Sequence, residues 1–324
     1  MKNILVLHTG GTISMQENEQ TGSVSPTIEN PLLSYARQLD KLANLITKQP
    51  FHLPSPHITV SNMLELKILI EQETRKKSID GVVITHGTDT LEETAYFLDL
   101  TLQTDIPIIV TGAMRSINEV GSDGLYNFIS SVRVACTQEA RGKGVLVVLN
   151  DEIHTAANVT KTHTSNVSTF QSPQYGPIGI VTKREIVFHH KSLFSEKYTL
   201  NNITKRVTLV KTYAGMEADL FDAIHDLQYD GVVIEALGQG NLPPYCMSGI
   251  KKIISSNIPI VLVSRCFNGI AQDVYDYDGG GRQLKEMGVI FCNGLNGQKA
   301  RIKLLVALTH TNDFKQLNDI FSIA

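Results

Sequence analysis

The sequence lacks any strongly basic block: 29 lysines and arginines stand against 32 aspartates and glutamates, for a formal net charge of -3. Without that electrostatic footprint a nucleic-acid partner is not expected, and a small molecule is the default. No apolar run approaches the roughly 18 residues needed to span a membrane, so a membrane partner is not expected either. Only four cysteines occur, Cys136, Cys246, Cys266 and Cys292, with no Cys-x-x-Cys and no clustered histidines. A zinc site is therefore not expected, and the cysteines read as buried free thiols. The run Ile4-Leu5-Val6-Leu7 is shorter than a signal-peptide core and passes straight into His8-Thr9-Gly10-Gly11, which predicts a cytoplasmic location. Nucleotide signatures are missing too. Thr9-Gly10-Gly11-Thr12 does not fit Gly-x-Gly-x-x-Gly, and it lacks the Gly-Lys-Ser/Thr of a phosphate loop.

What is present is a chain of 324 residues, 42% hydrophobic and 19% charged, long enough for a large core and for two domains. Short runs of Val and Ile end in polar or glycine-bearing turns and are followed by helical spacing, which predicts α/β architecture with a parallel sheet. The candidate strands Asn3 to Leu7, Gly81 to Thr85, Ile106 to Thr111 and Gly144 to Leu149 are continuous enough to be covered on both faces. Leu91, Ala95, Leu98 and Leu102 repeat at helical spacing, and Thr90-x-x-Glu93 reads as a capping box, so a helix is expected to begin near Thr90. Asp230-Gly231-Val232-Val233-Ile234 echoes Asp80-Gly81-Val82-Val83-Ile84, and Ile258-Pro259-Ile260-Val261 echoes Ile106-Pro107-Ile108-Ile109. Such strings arise from common origin or from convergence of buried parallel strands. A polar stretch places a linker at 190–206, between domains at 1–189 and 207–324. Gln16 to Pro31 reads as a long loop, of the kind that often serves as a lid.

Ligands in parallel α/β sheets gather at the carboxyl ends of strands, and two threonine motifs fall there. Gly10 and Gly11 let backbone approach a ligand and leave amides exposed, while Thr12 offers a hydroxyl that becomes a nucleophile once its proton is accepted. Taken alone, the motif also reads as a tight strand-to-helix turn. In His86-Gly87-Thr88-Asp89-Thr90 two hydroxyls and a carboxylate lie between a buried strand and a helix start. With Thr90 capping, Thr88 and Asp89 are left to face a substrate. His86 reads as a hydrogen-bonded packing residue. Lys161, in a polar stretch, reads by itself as an ordinary solvated lysine.

Together, Thr9-Gly10-Gly11-Thr12-Ile13, His86-Gly87-Thr88-Asp89-Thr90-Leu91-Glu92-Glu93-Thr94, Thr111-Gly112-Ala113-Met114-Arg115, Ser122-Asp123-Gly124 and Val159-Thr160-Lys161-Thr162 resemble the bacterial L-asparaginase family in order and spacing. The agreement runs from Asn3 to Gly297-Gln298-Lys299-Ala300-Arg301. The resemblance implies a larger flavodoxin-like N-terminal domain with a mostly parallel sheet, a smaller α/β C-terminal domain, and a homotetramer built from dimers. It implies no metal and no cofactor. It puts the catalytic residues at Thr12, Thr88, Asp89 and Lys161, with substrate contacts from Gly11, Ser55, Gly87, Thr88, Asp89 and Ala113. The reaction implied is hydrolysis of asparagine to aspartate and ammonia through a threonine nucleophile. Lys161 would act electrostatically or, if desolvation prevails, as a base.

Three positions depart from the family pattern. Met15 to Ser34 contains no tyrosine where a lid tyrosine is expected, and Tyr35 lies beyond Pro31. Pro56 stands where a glutamine or glutamate helps bind the α-ammonium, and Tyr275 stands where the neighbouring subunit supplies a carboxylate. A glutaminase-asparaginase of broader specificity and the amidase component of a transfer-RNA amidotransferase are alternative enzyme readings. A non-catalytic amino-acid sensor on the same fold is the alternative from another class.

Overall fold

The computed structural model describes residues 1–27, 31–32, 39, 41–192 and 195–322. The run from Asn3 to His8 forms strand β1 and is buried from Ile4 onward. An apolar strand without alternation needs cover on both faces and partners on both edges. A short antiparallel hairpin follows it, β2 (Met15–Glu17) with β3 (Val24–Pro26), so the segment expected to be all loop is partly strand. β1 then pairs in parallel with β4 (Asn44–Lys48) on one edge and β5 (Gly81–Thr85) on the other. β6 (Ile108–Thr111) and β7 (Val145–Leu149) continue the parallel part beyond β5. The chain reverses into β8 (Glu152–Thr155) through Asn150 and Asp151, whose φ angles of 49° and 64° suit the tight hairpin turn that matches strand twist. A two-stranded ribbon, β9 (Thr160–Lys161) with β10 (Phe170–Gln171), precedes the antiparallel edge strands β11 (Gly179–Val181) and β12 (Ile186–Phe188).

The resulting eight-stranded sheet has the order β12-β11-β8-β7-β6-β5-β1-β4. Counted along the chain, its parallel strands run 2-1-3-4-5, the flavodoxin-like order, and the reversal falls between β1 and β5. Helices cover the faces: α1 (Val60–Lys76), α2 (Leu91–Thr101) and α3 (Gly124–Ala135). Phe128, Val132 and Ala135 of α3 join Ile4, Val6, Val83 and Ile109 in one core. The expected periodic residues Leu91, Ala95, Leu98 and Leu102 are all buried. The capping box, however, belongs to α1, where Thr59 and Asn62 satisfy each other's backbone amides. Thr90 makes no side-chain cap; its hydroxyl donates to the carbonyl of Ser55 at 2.8 Å. The hydroxyl is turned to a tertiary carbonyl, and its oxygen receives no helix amide.

The chain divides into two compact units, Met1–Thr199 and Leu200–Ala324. Before the division, the backbone amide of Tyr198 donates to Leu100 O at 2.7 Å and Lys197 pairs with Asp99, both on α2. The second unit holds a parallel sheet of β13 (Val207–Lys211), β14 (Gly231–Ala236), β15 (Ile260–Ser264) and β16 (Ile290–Phe291) in sequential order. It carries helices α4 (Asp219–Asp226), α5 (Met247–Ser255), α6 (Gly281–Glu286), α7 (Gly297–Ala307) and α8 (Phe314–Ser322). All four cysteines are free, but Cys266 is exposed and Cys136 half-buried, so the expectation of uniform burial holds only for Cys246 and Cys292. No described helix is long and apolar enough to cross a membrane.

The repeated strings occupy equivalent places. Val82 faces Ile108 across β5 and β6, and Val232 faces Ile260 across β14 and β15. Asp80 Oδ2 accepts the amide of Asn3 at 2.8 Å, and Asp230 Oδ2 accepts that of Arg206 at 2.8 Å. In each unit the aspartate ties the start of one strand to its neighbour. The glycine that follows lets a helix end approach, against different neighbours. A β-carbon on Gly81 would lie 2.8 Å from the backbone oxygen of Ala135, whereas one on Gly231 would meet the side-chain tips of Leu304 and Leu308 at 2.9 and 3.0 Å. Backbone yields less than side-chain ends. Gly81→Ala is therefore expected to destabilise the protein by about 2 kcal/mol and Gly231→Ala by under about 1 kcal/mol. Urea unfolding of both variants checks this, and equal losses would contradict it.

Candidate active site

The site begins with backbone meeting backbone. Gly10 and Gly11 leave β1 with φ angles of 108° and 82°, a region that disfavours any side chain. A β-carbon on Gly11 would sit 2.1 Å from Gly87 Cα, and one on Gly10 would sit 2.4 Å from Leu53 O. Gly87 in turn has no room beside Ser55, whose β-carbon would lie 2.6 Å away. The Gly10-Gly11 turn thus packs backbone to backbone on Leu53 and on Gly87, and Gly87 lies against the Ser55 side chain, with the first contact stitched by Leu53 N to Thr9 O at 2.9 Å and Gly11 N to Leu53 O at 3.1 Å. The second bond corrects an expectation: the Gly11 amide is not left exposed. Its neighbour Thr12, half-buried, opens a short 3-10 turn to Ser14, and its hydroxyl bonds no other protein group among the described residues. Tyr35 lies outside the described residues.

The other motif leaves β5 beside this contact. Thr88 is buried, and its Oγ1 accepts a hydrogen bond from Lys161 Nζ at 2.9 Å. The same ammonium donates to Asp89 Oδ1 at 2.7 Å. Asp89 is held from behind, because its amide donates to Ser55 Oγ at 3.2 Å. Ser55 is accordingly a buried hub whose hydroxyl meets Asp89 and whose carbonyl meets Thr90. Lys161 arrives from β9, a polar stretch without helical or strand periodicity, and the structure brings it more than 70 residues back onto the motif after β5. Glu92, in the first turn of α2 and 4% exposed, accepts from Thr160 Oγ1 at 3.1 Å and from the Lys161 amide at 3.4 Å. Asp89, Glu92, Lys161, Thr162, His163 and Thr164 line an open cleft of about 390 Å³.

Ala113 lies fully buried in the loop after β6. That loop is clamped by Asp123, whose carboxylate accepts the amides of Met114 at 3.1 Å and Arg115 at 3.0 Å. Asn127 extends the clamp, donating to Asp123 Oδ2 at 3.0 Å and to Gly112 O at 3.1 Å. Gly124 starts α3 without a β-carbon, one of which would press on Ile13 and Ala113 at 3.1 and 3.2 Å. The Ser-Asp-Gly string therefore couples the loop carrying Ala113 to the turn that begins at Thr12.

Of the residues expected at the site, Thr88, Asp89, Lys161 and Ser55 are joined by hydrogen bonds, Gly11 meets Gly87, and Thr12 follows Gly11 directly. The roles of Glu92 and Asp123 were not anticipated, although both lie in the quoted motifs. Two adjacent acids at a helix start, Glu92 and Glu93, were the available signal, since one suffices for the helix dipole.

The chain matches the family profile described as "Asparaginase, N-terminal" over residues 3–194 and the one described as "Glutaminase/Asparaginase C-terminal domain" over residues 206–321. The chain belongs to the asparaginase family. It is 34% identical over 307 residues to an L-asparaginase of Bacillus licheniformis, covering 95% of each chain. It is 36% identical to a probable L-asparaginase of Deinococcus radiodurans, covering 99% of this chain and 98% of that one. Its fold superposes with a TM-score of 0.90 on the crystal structure of a probable cytoplasmic L-asparaginase from Campylobacter jejuni, at 30% identity and with both chains fully covered. As an asparaginase-family member the protein is an amidohydrolase, and its two α/β units are those of the family.

Two histidines flank the strand ends that carry the motifs. His8 Nδ1 bonds Thr85 Oγ1 at 2.8 Å; His86 Nδ1 bonds Gly87 O at 2.8 Å and its Nε2 bonds Thr94 Oγ1 at 2.9 Å. Burial lowers both from 6.5 to about 4, helped at His8 by the charge of His52 and opposed at His86 by the Gly87 carbonyl. Both rings are neutral at pH 7. Because the folded values lie below the unfolded ones, unfolding is linked to proton uptake. The stability they contribute is whole above about pH 6.5 and is lost as the pH falls toward 4, up to roughly 3 kcal/mol per histidine. Carbon-13 spectra of histidine-labelled protein are expected to show neither ring titrating between pH 8 and 5.5, while the urea midpoint falls over the same range below pH 6.5. A His86 resonance that titrates near 6.5 would contradict the assignment.

Proposed function

We propose that the protein hydrolyses L-asparagine to L-aspartate and ammonia with Thr12 as nucleophile. The observation that carries this reading is the three-way contact of Lys161 Nζ with Thr88 Oγ1 at 2.9 Å and Asp89 Oδ1 at 2.7 Å, set beside the contact of Gly11 with Gly87 from which both threonines extend. In the first half-reaction Thr12 Oγ bonds to the amide carbon and the C–N bond breaks, the hydroxyl proton ending on the departing ammonia. In the second, water adds to the acyl carbon and returns a proton to Thr12 Oγ as aspartate leaves. Thr88, buried and with its Oγ1 accepting from the Lys161 ammonium, orients that water, and the charge of Lys161 stabilises the negative charge that develops. The amides of Thr12 and Thr88 serve as oxyanion donors, a role the engaged Gly11 amide cannot take. Asp89 receives the substrate's α-ammonium, Ser55 and Gly87 shape the pocket, and the Ala113 carbonyl meets the leaving amide.

Substrate breadth is a further part of the proposal. Pro56 offers no side-chain acceptor and is exposed, and the matched C-terminal family is described as glutaminase as well as asparaginase. That combination supports activity on glutamine alongside asparagine. The protein is proposed to act as a homotetramer built from dimers and in the cytoplasm; the Campylobacter neighbour described as probably cytoplasmic supports the location, while another relative is named periplasmic.

Ammonia release from the purified protein with L-asparagine, L-glutamine and their D-forms tests the reading, and release from L-asparagine at the highest kcat/KM is expected. Silence on every amide from a folded oligomer would instead indicate a sensor. Lys161→Met is expected to lower kcat by about a thousandfold or more with little change in Tm, by removing charge stabilisation from the site. Near-normal turnover in that variant would remove Lys161 from the mechanism. Rapid-quench mass spectrometry is expected to find the acyl group on Thr12 and to lose it in Thr12→Ala; an unmodified Thr12 under burst conditions would favour direct attack by water.

A further inference from the structure

We infer that Glu92 is a positioning residue for Lys161, fixing the lysine's backbone so that its ammonium reaches Thr88 and Asp89; the inference rests on the role given to Lys161 above. A carboxylate that is 4% exposed is costly unless it is hydrogen-bonded, and Glu92 spends its Oε1 on the strand that carries the lysine. β9 is only two residues long and pairs with β10 on a single edge. The amide of Thr162 turns toward that edge, donating to Thr169 O at 2.8 Å, and the amide of Lys161 turns the other way, to Glu92. Glu92 thereby closes the side of β9 that no described strand covers. The Thr160 hydroxyl, buried and 3.1 Å from the same oxygen, gives the carboxylate a second hold on the ribbon.

The geometry grips one lysine at both ends. Asp89, just before α2, takes Nζ, and Glu92, three positions on in its first turn, takes the backbone nitrogen. Lysine has a flexible four-carbon stem, so a fixed ammonium is not secured by one ion pair alone. Anchoring the backbone narrows the positions Nζ can sample, and both anchors belong to the same rigid helix start. A shift of the ribbon by about 1 Å would break contacts of 2.7 and 2.9 Å, and misplacements of that size cost about a hundredfold in rate. Glu93, partly exposed beside it, is sufficient for the helix dipole, so the burial of Glu92 calls for another account.

Steady-state kinetics of Glu92→Ala, Glu92→Gln, Thr160→Val, Lys161→Met and the Glu92→Ala/Lys161→Met double variant test this. Glu92→Ala is expected to lower kcat roughly 10- to 100-fold with KM changed by less than about threefold, the signature of misplacement rather than lost binding. Glu92→Gln keeps an acceptor oxygen and is expected to restore turnover to within about threefold. Thr160→Val removes one of the two donors at nearly constant shape and is expected to lower kcat several-fold. In the Lys161→Met background, read by long single-turnover ammonia release, Glu92→Ala is expected to cause no further loss, because residues acting as a unit are not additive. A full additional loss there, or a loss that glutamine does not restore, would overturn the inference. So would unchanged kcat in both Glu92→Ala and Thr160→Val; if the alanine variant does not fold, unchanged kcat in Thr160→Val alone decides against it. An inert Lys161→Met beside a fully active Glu92→Ala sinks only the role of Glu92, whereas an active Lys161→Met sinks the reading on which it rests.

Discussion

The site depends on the absence of two β-carbons. Gly11 and Gly87 touch where a methyl on Gly11 would come within 2.1 Å of backbone, and no repacking of side chains could relieve that clash. The contact is possible because β1 and β5 are hydrogen-bonded neighbours that end together, His8 opposite Thr85. Neighbouring parallel strands normally feed helices on the sheet faces; here the order of strands reverses between them and leaves a crevice. The buried core of Ile4, Val6, Val83 and Ile109 makes that edge of the sheet stiff, and the stiffness is passed to the two loops through backbone alone.

Around this contact, charge is arranged sparingly. Asp89 and Glu92 meet Lys161 at opposite ends, and His8 and His86, which burial keeps neutral, add no charge at pH 7. Asp123 spends its carboxylate on backbone amides of the loop carrying Ala113 and on the Asn127 side chain. Each acid therefore has a separate task, and a neutral imidazole beside Thr85 or Thr94 serves as a hydrogen-bonding strut rather than as a base.

Much of this was legible in residue order. The four apolar runs became neighbouring strands of one sheet, since a buried parallel strand admits little besides Val, Ile and Leu. The motifs at the ends of β1 and β5 stood out because glycine and threonine together are uncommon inside regular elements. Lys161 was visible only through resemblance, for a lysine in a polar stretch carries no local sign of the carboxylate it meets. Thr90 was misread for a related reason: a threonine before a helix caps it by accepting a helix amide unless its hydroxyl is drawn elsewhere, and the Ser55 carbonyl that draws it comes from a segment more than 30 residues away. The hairpin of β2 and β3 was hidden by its polar composition, and the capping box at Thr59 uses the shorter asparagine in place of the usual glutamate or glutamine.

The repeated strings give the clearest lesson about where chemistry can arise. Asp80-Gly81-Val82-Val83-Ile84 and Asp230-Gly231-Val232-Val233-Ile234 adopt the same strand, the same register with the next strand and the same aspartate tie. Yet the second sheet runs β13-β14-β15-β16 without a change of direction in strand order. Two nearly interchangeable sentences of sequence thus sit in different grammars. One unit has a seam, because a strand was laid down on the far side of its first; the other was wound one way only, and the same words there build a wall without a door.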